Sequence, residues 1–178
     1  MTRPPQVVLQ PVARGEATVL NNLFELYAHD FSEFVPLDIK PSGRFGVTVG
    51  DRWWGRDDHF PFFIYCNGKL CGFALARKGS RVTTGAGAGG DDVMDVAEFF
   101  VVRGARGNGV GAGAAHALFA AFPGRWEIRV RHANAPAVRF WSRALAGWQG
   151  RPVTGSPHSS EGVDWEVFRV ESPVPNDD

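Results

Sequence analysis

Residues 103–111 read R-G-A-R-G-N-G-V-G, with glycines at 104, 107, 109 and 111. An apolar run comes before them, including Val96, Phe99, Phe100, Val101 and Val102, whose β-branched and aromatic side chains suit a central strand. Residues 112–122 follow and are almost all Ala, Leu and Phe, a helix composition that Pro123 and Gly124 stop. The order is strand, glycine turn, helix. The first N–H groups of a helix have no internal partner, and the helix dipole adds partial positive charge there. Small residues let a phosphate approach them. Arg106, Gly107, Asn108, Gly109, Val110 and Gly111 are therefore a candidate pyrophosphate cradle, with the Arg106 guanidinium as an additional contact. A plain strand-to-helix turn would use the same glycines. A Walker loop needs a Lys after its glycines, and none is present. A dinucleotide motif needs a different third spacing and a place near the first strand. The glycine-rich residues 85–90 precede the strand instead of following it, and read as a connection.

The elements that must hold this turn can be read on either side of it. Residues 6–11 alternate as a first strand. Residues 15–29 form an amphipathic helix whose Val19, Leu20, Leu23, Leu26 and Tyr27 should face the sheet. Residues 30–40, interrupted by Pro36, are a short helix or irregular, and residues 44–59 are loop with one helical turn. Residues 60–77 are a hairpin about Asn67-Gly68, because a type I′ turn needs positive φ at both positions. After the central strand and its helix, Trp126, Ile128 and Val130 alternate with Glu127, Arg129 and Arg131, a strand with one polar face. Asn134 can cap a helix that accepts Pro136 in its first turn and runs to about Ala146. Residues 147–152 and 163–170 are expected as two last strands, joined by a polar loop over 154–162. One domain spans residues 1–172, and residues 173–178 are a frayed tail.

Two segments, in this order along the chain, carry a resemblance. Val101-Val102 followed by R-x-x-G-x-G at Arg106, Gly109 and Gly111 resembles the acyl-CoA signature of the GNAT N-acetyltransferase superfamily. The stretch from Asn134 through Phe140-Trp141 resembles that superfamily's later helix motif, an Asn followed by a helix ending in Phe-Tyr. The similarity extends to a bacterial branch of acetyltransferases with EFFV, FPG-x-WE and FW segments, here at residues 98–101, 122–127 and 140–141. The resemblance implies an α/β (α+β) fold: a mixed, twisted, mostly antiparallel sheet of about six to seven strands with helices on both faces. It implies acetyl-CoA as cosubstrate, its pantetheine arm bonded to the backbone at Val101 and Val102 where the central strand splays from its neighbour. The pyrophosphate would lie on residues 106–111, and Asn134 would face the arm unless it only caps its helix.

Acetyl transfer to an amine needs a neutral amine, a polarised thioester carbonyl and a stabilised thiolate. Asp95 and Glu98 are the candidate bases. They lie three apart on one strand, so a regular strand points them to opposite faces. Asp95 matches the position of the catalytic Glu in the histone-modifying members of the superfamily. Glu98 belongs to the EFFV segment and lies among apolar residues, where burial raises a carboxyl pKa; it is the favoured base, directly or through water. Many relatives carry Tyr where this chain has Trp141. An indole N–H donates a hydrogen bond but is no acid near neutral pH, so Trp141 stabilises the sulfur or another group protonates it. On the acceptor side, Tyr27, His29 and Asp30 form a polar cluster, and Trp53 and Trp54 could wall a pocket for an amine cation. Helix-end capping and core filling would use the same residues.

Nineteen basic and nineteen acidic side chains cancel over 178 residues. That balance argues against sequence-independent nucleic-acid binding, which rests on neutralising phosphates. No apolar run approaches the ~20 residues of a membrane span, and residues 1–6 lack the apolar core of a signal peptide. Cys66 and Cys71 do not form a metal spacing, so reduced thiols and a cytoplasmic setting are expected, with no metal. The expected function is transfer of acetyl to a primary amine of a small molecule, peptide or protein, by a monomer or homodimer. A CoA-binding sensor without turnover is the alternative, favoured by Trp141.

Overall fold

The structure, a computed structural model, describes residues 4–82 and 90–173. The glycine-rich connection therefore falls outside the described residues except for Gly90, as does the expected tail after residue 173. The elements follow in the order β1 (Val7–Pro11), α1 (Ala17–Phe31), β2 (His59–Cys66), β3 (Lys69–Lys78), β4 (Val93–Val101), α2 (Val110–Ala121), β5 (Gly124–Arg131), α3 (Ala135–Gln149), β6 (Ser156–Ser160) and β7 (Val163–Ser172). The strands form a seven-stranded mixed sheet in the order β1-β2-β3-β4-β5-β7-β6. β4 and β5 are parallel, whereas β1 with β2, β5 with β7, and β6 with β7 are antiparallel.

The chain packs as two compact units, residues up to Leu75 with Glu98–Val110, and Ala76–Ala97 with residues from Gly111 onward. β3 and β4 contribute to both. In the first unit, α1 buries Leu20, Leu23 and Ala28. Phe24 stacks on Phe73 at 5.1 Å, and Tyr27 meets Phe73 edge-on at 5.8 Å. Val19 and Leu26, expected to face the sheet, are instead exposed. The inward stripe follows 20, 23, 24, 27 and 28, with Phe24 and Tyr27 half-buried, a narrower helical face than hydrophobicity alone suggests. Asn67 and Gly68 have φ of 49° and 75°, the two positive values that the hairpin turn between β2 and β3 requires. Gly72 is needed for another reason: a Cβ there would lie 2.0 Å from the Phe100 carbonyl oxygen.

In the second unit, β4 pairs with β5 from Val93 opposite Arg125 to Val96 opposite Ile128. α2 buries Ala114, Ala115, Leu118 and Phe119, and the Phe119 ring meets Trp126 of β5 at 5.1 Å. The end of the chain departs from the sequence reading. No strand occupies residues 147–152, because α3 continues to Gln149 and stops at Gly150 in the left-handed conformation. The penultimate strand is β6, inside the stretch expected to be loop. Its sequence, S-P-H-S-S, has weak strand preference. The strand forms because β7 supplies a partner and because Glu161-Gly162, with φ of 53° and 73°, makes a second tight hairpin turn. As the last strand in the sheet order, it also tolerates Pro157.

Candidate functional site

β4 carries both candidate bases, and the structure gives them different surroundings. Asp95 is 1% exposed. Arg77 on β3 donates to its Oδ2 through Nε at 2.9 Å and Nη2 at 2.6 Å. Burial pushes the Asp95 carboxyl up, and Arg77, then Arg129 and Arg81, pull it back in part. Glu98 is half-buried, and the Tyr27 hydroxyl on α1 donates to its Oε2 at 2.7 Å. Tyr27 is fixed in turn by rings at 5.3–5.9 Å: Phe31, Phe24, Phe73 and Phe100. Asp95 is engaged by a buried arginine.

Beyond Val101 the backbone makes a 3-10 turn, Arg103–Ala105, and then the glycine turn. Gly107 and Gly109 both have φ of 82°, a conformation that disfavours side chains, and no heavy atom lies within 4 Å of a Cβ built on either. Arg106, Gly107, Asn108 and Gly109 are exposed, and α2 starts immediately after, at Val110. An exposed glycine backbone at the start of a twelve-residue helix suits an oxyanion. Gly111 serves packing: a Cβ there would lie 2.9 Å from Phe140 Cε2.

The Arg106 side chain is not held toward the turn's open face. Its Nε donates to the Val101 carbonyl at 2.7 Å, its Nη2 donates to Asp30 Oδ2, and its guanidinium lies 5.7 Å from the Phe100 ring centroid. Arg103 Nε donates to Asp30 Oδ1 at 2.8 Å. Asp30 thus clasps two arginines of the turn. Burial raises its carboxyl, but hydrogen bonds and charge from Arg106 and Arg103 outweigh that and hold it below the ordinary value. Val102 N–H donates to the Cys71 carbonyl at 2.8 Å, so that backbone donor is already used.

The other candidates separate. The His29 side chain is mostly exposed, with Nδ1 3.7 Å from Asp30 Oδ1. Trp53 is 5% exposed and its ring packs on His59 at 4.7 Å, and the Trp54 indole donates to the Val12 carbonyl at 3.0 Å. These two indoles are part of the packing around β1 and β2 rather than an open wall. Asn134 caps α3, its Oδ1 accepting from Ala137 N at 3.1 Å. Trp141 is 5% exposed, with Phe140 at 5.1 Å. Both cysteines are free thiols.

Sequence reading missed Glu127. Its place in the alternation of β5 put it on the polar face, and it is 3% exposed. It stands opposite Asp95 on one side and Arg169 on the other. Arg169 Nε donates to it at 3.0 Å, and Ser80 also donates. A single rung therefore carries Asp95, Glu127 and Arg169, with Arg77 on Asp95. The only signal was a lone acid among the arginines of a polar strand face, and its partners emerge only from the register.

A mixed sheet whose central strand passes through an exposed glycine turn into a helix is the architecture of known acetyltransferases. An acetyltransferase from Thermus thermophilus has a TM-score of 0.68 and 14% identity over 96% of this chain and 99% of that one. The aminoglycoside acetyltransferase AAC(6')-Ib in complex with coenzyme A has 0.66 and 13%, over 93% and 95%. Spermidine N-acetyltransferase from Vibrio cholerae, in complex with CoA and spermine, has 0.63 and 10%, over 94% and 96%. These similarities show the fold. No curated protein matches the chain. Residues 20–146 match the Acetyltransferase (GNAT) family, and the chain belongs to that family.

Proposed function

We propose that the protein is an acetyl-CoA-dependent N-acetyltransferase acting on a primary amine of a small molecule, peptide or protein. The observation that carries this reading is the exposed turn of Gly107 and Gly109 at the start of α2, within the stretch that matches the family. Family membership supports acetyl transfer, and similar folds crystallised with CoA, kanamycin or spermine support an amine acceptor. The backbone N–H groups of residues 107–111 would hold the pyrophosphate. Arg106, drawn to Asp30 and Val101, stiffens the turn instead of gripping phosphate.

Glu98 is the proton acceptor in this reading. It takes the ammonium proton, directly or through water, and frees the lone pair that attacks the thioester carbonyl. The tetrahedral intermediate then loses the excess nitrogen proton to solvent and collapses, the C–S bond breaks, and CoA leaves as thiolate. Trp141 cannot supply the closing proton, because an indole is not acidic in this range; solvent or another donor does. The two free thiols suit a reducing compartment such as the cytoplasm. The buried Trp141, standing where many relatives carry Tyr, favours a second reading, a CoA-binding sensor without turnover. Release of free thiol from acetyl-CoA across an amine panel tests both. Amine-dependent release is expected; CoA binding without release for any amine favours the sensor, and absence of CoA binding overturns both.

A further inference from the structure

The two cysteines stand on one hairpin. β2 ends at Cys66 and β3 starts at Lys69, with Asn67-Gly68 as the turn between them. A two-residue turn sets Cys66 across from Lys69, and alternate residues of a strand share a face. Cys71 therefore lies on the face of Cys66, diagonally across from it. The side chains meet there in hydrogen-bond contact, and both are free thiols. Cys66 is half-buried, whereas Cys71 is 7% exposed and its Sγ donates to the Lys69 carbonyl at 3.3 Å. Burial pushes the Cys71 thiol up, and the Cys66 thiol beside it adds to that.

Cys71 also holds the end of β4. Its carbonyl accepts from Val102 N–H at 2.8 Å, immediately before the Arg103–Ala105 turn that leads to the glycines. Beside it, Gly72 packs so closely on β4 that a Cβ there would lie 2.0 Å from the Phe100 carbonyl oxygen. β3 lies between β2 and β4 in the sheet. A disulfide needs its sulfurs about 2 Å apart, well inside the contact distance of two thiols. Closing that bond draws Cys71 toward β2, and its carbonyl away from Val102.

We propose that Cys66 and Cys71 are a reversible redox switch: a peroxide joins them as a disulfide, which loosens the Val102 hydrogen bond and weakens cofactor binding at residues 103–110. The more exposed Cys66 meets the oxidant. Its thiolate attacks one peroxide oxygen, the O–O bond breaks, hydroxide leaves, and Cys66 becomes a sulfenic acid. The Cys71 sulfur then attacks the sulfenic sulfur. The S–O bond breaks, the oxygen leaves as water with the Cys71 proton, and the S–S bond forms. The pair loses two electrons and the peroxide gains them; a dithiol reductant reverses the bond by exchange. The effect on the cofactor rests on the acetyltransferase reading; the disulfide and its pull on Val102 do not.

The experiment has three arms. In the first, the reduced protein is treated with hydrogen peroxide, denatured, labelled with N-ethylmaleimide and weighed by mass spectrometry. Both thiols should disappear together with the loss of two hydrogens, and dithiothreitol should return them. Sulfinic acid on Cys66 beside an unmodified Cys71, or a disulfide between two chains, overturns the proposal. In the second arm the exchange of the Val102 amide hydrogen is followed in both forms. It should be roughly tenfold faster after oxidation, the worth of one hydrogen bond. Peroxide should not change it in Cys66→Ser, whose folding is verified by thermal melts. Equal exchange in the two forms overturns the switch. The third arm is calorimetry with acetyl-CoA, whose acylated sulfur cannot reduce the disulfide. Affinity should fall roughly tenfold on oxidation and return with dithiothreitol, again by the worth of that bond. Equal affinity in the two forms overturns the link to the cofactor. Faster Val102 exchange on oxidation, in a protein that binds no acetyl-CoA even when reduced, supports the switch and removes the acetyltransferase reading alone.

Discussion

The Tyr27 hydroxyl donates to Glu98 Oε2 at 2.7 Å, joining α1 to β4 across 71 residues of sequence. The bond fixes where the carboxylate sits against α1. Tyr27→Phe should therefore lower kcat/KM by about tenfold, the worth of one hydrogen bond, while leaving CoA affinity unchanged. The measurement is kcat/KM with one accepted amine, beside calorimetry with CoA. A Tyr27→Phe enzyme with wild-type kcat/KM would remove Tyr27 as the group that positions Glu98.

Asp30 ties Arg103 and Arg106 to the end of α1. Its folded-state pKa lies below the ordinary 3.8. The clasp therefore stabilises the fold fully above 3.8 and loses this contribution as pH falls through the lower folded value. Both arginines are largely solvent-exposed, so the contribution is about 1 kcal/mol. Asp30→Asn should melt earlier than wild type at pH 7, and the gap should close below pH 3.8. CoA affinity at pH 7 should also fall, because the turn loses its tether. A gap that stays constant with pH would remove the clasp as its cause.

Gly109 and Gly111 look alike in the sequence and differ in kind. Gly109 has φ of 82° and open space around it; Gly111 is helical, and a Cβ added there would lie 2.9 Å from Phe140. Gly109→Val should fold with a strained turn and lose CoA affinity, which calorimetry reads. Gly111→Ala should mainly lower stability, by about 1–3 kcal/mol of overpacking, and Phe140→Leu in the same chain should restore part of it. Unchanged CoA affinity in a folded Gly109→Val protein would remove the phosphate cradle.

Local chemistry made much of this fold legible. Asn67-Gly68 specifies its hairpin through two positive φ values, and residues 93–101 are apolar enough to declare a central strand. What the sequence left hidden depended on partners far along the chain. β6 forms from weak strand residues because β7 pairs with it. Asp30 read as part of an acceptor cluster, but Arg103 and Arg106, more than 70 residues away, draw it to the turn. Glu127 read as one residue of a polar face, because alternation reveals a face without revealing what covers it. Trp53 and Trp54 read as pocket walls or as core, because their size and type suit both.

The two acids of β4 should fail in opposite ways when changed. Asp95 is 1% exposed and held by Arg77, itself 12% exposed in its side chain. Breaking such a pair leaves a buried charge uncompensated, so Arg77→Ala should destabilise by about 3–5 kcal/mol. The Asp95 carboxyl is already raised above 3.8. Its ionisation therefore costs the fold nothing below 3.8 and progressively more as pH rises through the folded value. Without Arg77 that cost grows, so Arg77→Ala should recover part of its lost stability when the pH is lowered toward 4. Asp95→Asn should likewise act mainly on the melting temperature. Glu98→Gln should do the reverse: a melting temperature close to wild type, retained CoA binding, and a rate lower by roughly 10²–10⁴-fold, the size of a general-base effect. Thermal melts from pH 4 to 8 and steady-state rates on all three variants decide the matter. A Glu98→Gln enzyme with wild-type rate, beside a well-folded Asp95→Asn enzyme that has lost it, would transfer the base from Glu98 to Asp95.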